Sequence, residues 1–210
     1  MSHPLPALSL LETRVLGTLV EKERTVPDTY PLTLNALVSG CNQKTSRDPV
    51  LQAGETEVQA ALDGLRRSNL VLESSGGRVA RYAHNLERVL EVPSQSAALL
   101  TALMLRGPQT AGELRIACER LHRFADISAV EGFLNELAAR PAGALAAQLT
   151  RLPGARENRW AHLLSGAPAA QPQAAEDVSV NDVTALRADL ARLEDQLREL
   201  RELVSRLAAR

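Results

Sequence analysis

Leu8, Leu11, Val15, Leu16 and Leu19 recur at the three- and four-residue steps of one helical face. Ser9 stands near the start of this run with Glu12 three residues on, the arrangement of a capping box, so a first helix is expected at about 9–23. Pro27 and Pro31 forbid its continuation. A second helix is expected at about 32–41, with Leu32, Leu34, Leu37 and Val38 on its apolar side. A polar stretch, 42–49, precedes a third at about 55–68, striped by Val58, Ala61, Leu62 and Leu65. Leu70-Val71-Leu72-Glu73 then reads as a strand, Ser75-Gly76-Gly77 as a turn, and 78–84 as the returning strand. A hairpin this small is not stable by itself and must lie against the helices.

The same order follows again. Leu99, Leu100 and Leu103 mark a helix from Ser94 to about Leu105, which Gly107-Pro108 ends. Thr110 caps a second helix with Leu114, Ile116, Ala117 and Leu121. Asp126 or Ser128 starts a third, with Val130, Phe133, Leu134 and Leu137. A strand is expected over 144–152, a turn at Pro153-Gly154 and a return over 158–164. Val58, Leu62 and Leu65 share their spacing with Val130, Leu134 and Leu137. Arg81-Tyr82-Ala83-His84 matches Arg159-Trp160-Ala161-His162 in type and place. These matches indicate an internal duplication. Helix, helix, helix, strand, turn, strand is the winged-helix plan. The expected fold is therefore mainly α with small β-hairpins (α+β): one winged-helix domain at 8–92 and a second at 93–166.

Residues 167–178 form a Pro/Ala linker. Beyond it, in a segment expected at 179–210, Val183, Leu186, Leu190, Leu193, Leu197, Leu200, Val204 and Leu207 alternate steps of three and four over four heptads. That is a coiled-coil seam, and so narrow an apolar stripe asks for a partner helix. A homodimer is the expected remedy, with strand direction left open: Asp182 and Arg187 suit a parallel pair, whereas Asp189 and Glu194 do not.

Composition narrows the chemistry. Aromatic residues are 2% of the 210, so Leu, Val and Ala must fill the core. Cys41 and Cys118 are expected as reduced, partly buried thiols. No run approaches the ~20 apolar residues of a membrane span, and the N-terminus lacks a secretory signal, so a cytoplasmic protein without a membrane partner is expected. Enzymatic activity is not expected. His84 and His162 are explained by the duplication. Cys118 and His122 sit four apart, but zinc needs three or four protein ligands, so no metal is expected. Neither a phosphate loop nor a dinucleotide fingerprint is present, and no cofactor is implied.

A net charge of −1 does not point to nucleic acid by itself. The winged-helix plan does, with double-stranded DNA as the expected partner and the third helix facing the major groove. Phosphate contacts need cations. In the first half these are Lys44 and Arg47 before the third helix, Arg66 and Arg67 at its end, and Arg78 and Arg81 on the hairpin. In the second half they are Arg151, Arg156 and Arg159, with Arg115, Arg120 and Arg123 on the second helix. Against this, the third helices begin Glu55-Thr56-Glu57 and carry Asp126, Glu131 and Glu136. Such acids suit a helix N-terminus but repel phosphate. Residues 94–165 carry a net charge of +2, whereas 1–93 carry −1 and 166–210 carry −2. Hence two functions stay open: a dimeric DNA-binding regulator gripping through its hairpins and the 42–48 loop, or a protein-interaction adapter whose acidic helices face a partner. The loop itself reads as either an exposed phosphate or ligand site or an ordinary turn.

The chain also resembles the YceH-like family of uncharacterised bacterial proteins. The resemblance rests on Leu10-Leu11-Glu12-Thr13-Arg14-Val15-Leu16-Gly17, Glu21-Lys22, the run Pro27 to Leu37, and above all Cys41-Asn42-Gln43-Lys44-Thr45-Ser46-Arg47-Asp48-Pro49-Val50. It continues in Arg151-Leu152-Pro153-Gly154-Ala155-Arg156-Glu157 and Arg159-Trp160-Ala161-His162-Leu163-Leu164, covering roughly residues 8–166. It implies tandem winged helices and no particular activity.

The seam supports a direct test. Leu193→Asp with Leu197→Asp puts charges at buried a and d positions and abolishes the dimer. Light scattering of the full chain then reads the monomer mass, and an unchanged dimer mass refutes the seam.

Overall fold

In the computed structural model, residues 6–74, 79–151 and 154–166 are described. The 75–77 turn, Arg78, Leu152 and Pro153 lie outside these residues, as do the 167–178 linker and the whole 183–207 seam. Among the described residues the protein is mainly helical, with seven α-helices and two small antiparallel two-stranded sheets. The order is α1 (Leu10–Thr25), α2 (Leu34–Cys41), α3 (Glu55–Arg67), β1 (Val71–Ser74), β2 (Arg81–His84), α4 (Leu86–Leu90), α5 (Ser94–Arg106), α6 (Ala111–Ala117), α7 (Ile127–Ala138), β3 (Ala146–Gln148) and β4 (Trp160–His162). None of the described helices is long and apolar enough to cross a membrane.

Local chemistry sets these boundaries. The Ser9 hydroxyl accepts from the Glu12 N–H while the Glu12 carboxylate accepts from the Ser9 N–H, closing the expected box at α1. Thr110 and Glu113 repeat it at α6, and Thr33 caps α2 through Ala36 N–H. Asp126, not Ser128, caps α7 by accepting from Ala129 N–H. The second helix is shorter than its apolar pattern suggests. Leu32 follows Pro31 and precedes the Thr33 cap, and instead of joining the helix it exchanges two backbone hydrogen bonds with Tyr82 (2.8 and 3.0 Å). The strand expected over 144–152 is likewise cut to three residues. The five-residue α4 is too short to leave a periodic signature in the sequence.

The duplication reaches the register of the sheets. β1 pairs with β2 so that Val71 faces His84, and β3 with β4 so that Ala146 faces His162. Each ribbon gains a third edge from the residue before the capping threonine: Leu32 on Tyr82, and Gln109 on Trp160 (2.7 and 3.1 Å). The stripes Val58/Leu62/Leu65 and Val130/Leu134/Leu137 are all buried.

The two repeats bury their apolar faces in one continuous core. At its centre α1 and α5 make the most extensive contact between any two described elements. All ten residues from Ser96 to Leu105 are buried, so α5 is covered on every side. Gly17 permits the close crossing, since a Cβ there would lie 3.0 Å from the Leu105 side chain. The 92/93 division falls in the short link between α4 and α5.

The paired histidines have diverged. His84 Nδ1 accepts from Leu86 N–H, so its Nε2 carries the proton toward Glu23 Oε2 at 2.7 Å. Among the described residues His162 has no acidic partner, and its Nδ1 is buried without a hydrogen bond. Burial lowers its pKa to about 4. The unfolded imidazole titrates near 6.5, so below that pH the unfolded chain takes up a proton the folded one refuses. Stability is therefore lost as pH falls from about 6.5 towards 4. Denaturant unfolding should show His162→Gln losing about 2 kcal/mol less than the parent between pH 7.5 and pH 5; equal losses would show that His162 is not held neutral.

Candidate functional site

The Cys41-Asn42-Gln43-Lys44-Thr45-Ser46-Arg47-Asp48-Pro49 run is the most distinctive part of the sequence, and the structure gives most of it a structural task. Arg47 was expected as a phosphate contact. Its side chain is instead fully buried. The guanidinium donates to both Glu21 oxygens at 2.6 and 3.1 Å, to Gly40 and Ser46 carbonyls, and to Gln43 Oε1. A guanidinium with its donors spent this way has none left for phosphate. Burial alone would push the Glu21 carboxyl up, but the hydrogen bonds and charge of Arg47, aided by Lys22, hold it below its ordinary value.

A second buried cation clamps the other end of the loop. Arg14 of α1, fully buried, donates to the Cys41 carbonyl at 3.2 Å and the Pro49 carbonyl at 2.7 Å. Burial first, and the charge of Arg47 second, lower its proton affinity. Asn42 adds a two-way amide contact to Ala53, both bonds 2.8 Å. The loop also ties the repeats together: Asp48 N–H donates to Leu105 O at 2.8 Å and Arg106 donates to Ser46 Oγ at 2.9 Å. Cys41 is buried beside Thr18, and burial raises its thiol pKa; Cys118 is pushed up to about 12 for the same reason. Both thiols are free, and neither is a poised nucleophile.

The other expected cations divide into three groups. Some are engaged: Arg66 pairs with Glu73 at 2.9 Å and Asp63 at 3.5 Å, and Arg81 donates to the Pro31 carbonyl at 2.7 Å. Arg67 lines a cleft between the repeats. Lys44, Arg151 and Arg156 are exposed, as is Arg159, whose nearest carboxylate is Glu113 at 3.9 Å with both side chains about half accessible. Arg115 of α6 is exposed and donates to Ala125 O, while Arg120 and Arg123 are exposed in the turn that follows. Thus Arg151, Arg156 and Arg159 are exposed on the β3–β4 ribbon and its connection, whereas around α3 Arg47 is buried, Arg66 is ion-paired, and Lys44 and Arg67 stay exposed. The exposed positions in the first half of α3 carry Glu55, Thr56, Glu57 and Ala60, with Arg66 and Arg67 exposed only at its end, and those of α7 include Ser128, Glu131, Gly132, Asn135 and Glu136 and no base. Ile116, grouped from the sequence with the apolar residues of its helix, is instead 73% exposed, and Ile127, not singled out in the sequence, is 46% exposed; they add apolar surface to α6 and α7.

The described residues thus define a mainly helical protein with two small paired ribbons, and they include no group of His, Cys, Asp and Glu that could hold a metal ion. Comparison with known proteins gives the family. The family model described as "Protein of unknown function, DUF480" matches residues 8–155. Similar proteins include a UPF0502 protein of Dechloromonas aromatica, 60% identical over 207 residues and 97% of each chain. Another, of Paraburkholderia xenovorans, is 57% identical over 208 residues, covering 97% of this chain and 88% of its own. A third, of Burkholderia vietnamiensis, is 56% identical over 211 residues, covering 97% and 89%. The chain belongs to the DUF480 family of uncharacterised bacterial proteins, in keeping with the YceH-like resemblance.

The clamp carries a prediction. Arg47→Ala leaves the mostly buried Glu21 with Lys22 at 3.3 Å in place of the guanidinium, and should cost about 3 kcal/mol in denaturant unfolding. Lys44→Ala, on the same loop but exposed, should cost under about 0.5 kcal/mol. A neutral Arg47→Ala would show that the loop is held by other means.

Proposed function

We propose that each repeat is a winged helix and that the protein binds double-stranded DNA as a dimeric regulator, gripping the phosphate backbone with its second ribbon. The observation that carries this reading is that Arg151, Arg156 and Arg159 are exposed on one ribbon and its connection, with Glu157 beside them in sequence and Glu113 3.9 Å from Arg159. The third strand edge in each repeat, Leu32 and Gln109, supports the winged-helix assignment by anchoring each ribbon to the start of its middle helix. The acids on the outward faces of α3 and α7 argue against base reading by those helices, so binding is backbone-led and weakly selective for sequence. Dimerisation through the 183–207 seam would double the number of ribbons on one duplex.

A second reading, a protein-interaction adapter, is favoured by one feature: Ile116 and Ile127 lie exposed on α6 and α7, where a DNA-reading surface would be polar.

The test is a fluorescence-anisotropy titration of the full chain on a duplex at about 50 mM and about 200 mM salt, where each phosphate contact steepens the log–log salt dependence by about 0.9. Arg151→Gln, Arg156→Gln and Arg159→Gln together should make that dependence shallower by about 2 to 3 per protomer. Arg66→Gln, already ion-paired, should leave it unchanged. An absence of binding at the lower salt removes the DNA reading, and a stoichiometric, nuclease-resistant protein partner would then support the adapter.

A further inference from the structure

We infer that the cleft between the two repeats is a binding site for a small organic carboxylate with an apolar body. The cleft has a volume of about 950 Å³ and takes its walls from the C-terminal end of α3, the end of α4, the segment after α7 and the exit from β4. Its size is that of a small-molecule site. Leu90, Leu145 and Leu164 give it an apolar lining, and Arg67 and Arg140 reach it from different repeats. Among the described residues neither guanidinium has an ion-pair partner. Arg140 is half-exposed, and among the described residues its side chain has no hydrogen-bond partner.

Two carboxylates also border the cleft. Glu12 is committed to α1, where its Oε2 accepts the Ser9 N–H at 2.7 Å. Glu91 is exposed to solvent. The other Glu12 oxygen lies over Gly64 on the side of Arg67, so Arg140 is the cation left for a ligand, and a carboxylate can take two parallel N–H donors from a guanidinium.

The second, independent observation is where the duplication breaks. Leu70 N–H donates to Leu65 O in the first repeat, and Leu145 N–H to Leu137 O in the second, so these pairs correspond. Five residues separate the first pair and eight the second. The longer segment, which contains Arg140 and then Ala142-Gly143-Ala144, is what walls the cleft. Gly143 turns it at φ +114°, a conformation side-chain-bearing residues rarely adopt, and a Cβ there would meet open space. Packing does not call for this extension, since the first repeat closes its own hydrogen bond without it. Three extra residues, in a segment that sets Arg140 and the small residues Ala142, Gly143 and Ala144 at the mouth of a cleft, suit a ligand.

The site stands apart from the nucleic-acid reading, because its test contains no DNA. Isotope-labelled full-length protein is titrated with octanoate and with phenylacetate, up to about 10 mM, following the amide signals of Ser68, Asn69, Gly143, Leu145 and Leu164 by NMR. Octanamide and phenylacetamide serve as neutral controls. The carboxylates should shift these signals saturably and bind about tenfold more tightly than the amides. Arg67→Gln with Arg140→Gln should weaken carboxylate binding by about tenfold or more while leaving the rest of the spectrum in place. Ala142→Trp, which fills the cleft without changing charge, should weaken acid and amide alike. The proposal is overturned if neither acid gives saturable shifts at these amides, if acid and amide bind equally, or if the double variant binds as the parent does.

Discussion

Helices α1 and α5 need more cover than either repeat can supply alone, and the rest of the molecule follows from that. A helix buried along ten successive residues has no solvent face, so neighbours must surround it. In this protein α6, α7 and β4 cover one side of α5, and α1 supplies the most extensive remaining contact. Likewise α1 is buried from Thr13 to Val20 and is enclosed by α2, α3 and α5. Each repeat thus completes the core of the other. The close crossing at Gly17 and Leu105 fixes how near the two axes come. The 40–49 loop then locks the arrangement from outside, with Arg47 gripping Glu21 on α1 while Asp48 and Ser46 reach the end of α5.

Much of this was legible in the chain, and what was not has a physical reason. Capping and periodicity are local, and the elements that rest on them appear where expected: α1 from Ser9 and Glu12, α6 from Thr110 and Glu113, and the matching stripes of α3 and α7. Leu32 misled because an apolar residue beside a helix pattern looks like part of it, whereas its backbone is claimed by Tyr82, fifty residues away in sequence. Arg47 misled more seriously. An arginine among Asn, Ser, Asp and Pro reads as solvent-exposed, and only the fold brings Glu21 and the Gly40 carbonyl round it. Its burial removes one of the cations on which a DNA-binding surface at the first repeat was expected to depend. The cleft could not be foreseen either, because its walls come from segments scattered from Pro6 to Gly166.

The duplicated positions show how one plan supports different chemistry. His84 and His162 occupy the same register in their ribbons, yet one is held by Glu23 and the other is sealed without an acid. α1 continues to Thr25 and so reaches past Glu23, whereas α5 stops at Arg106 where Gly107 adopts positive φ. A shorter helix leaves the second ribbon without the first one's carboxylate.

The same divergence governs the charges. In the first repeat arginines are drawn inward or paired: Arg14 and Arg47 hold the loop, Arg66 joins α3 to β1 through Glu73, and Arg81 holds the Pro31 carbonyl. These four are spent on architecture while Lys44 and Arg67 stay exposed, which is why a net count over that half says little about its surface. The second repeat is held by apolar contacts around α5 and α7, and the arginines of its ribbon are left in solvent. Once the duplication had given the molecule two copies of each face, one could serve stability and the other stay free. An exposed cation, unpaired like Arg151 and Arg156 or loosely paired like Arg159, adds little to folding, so these three are where a role outside the fold is most reasonably sought.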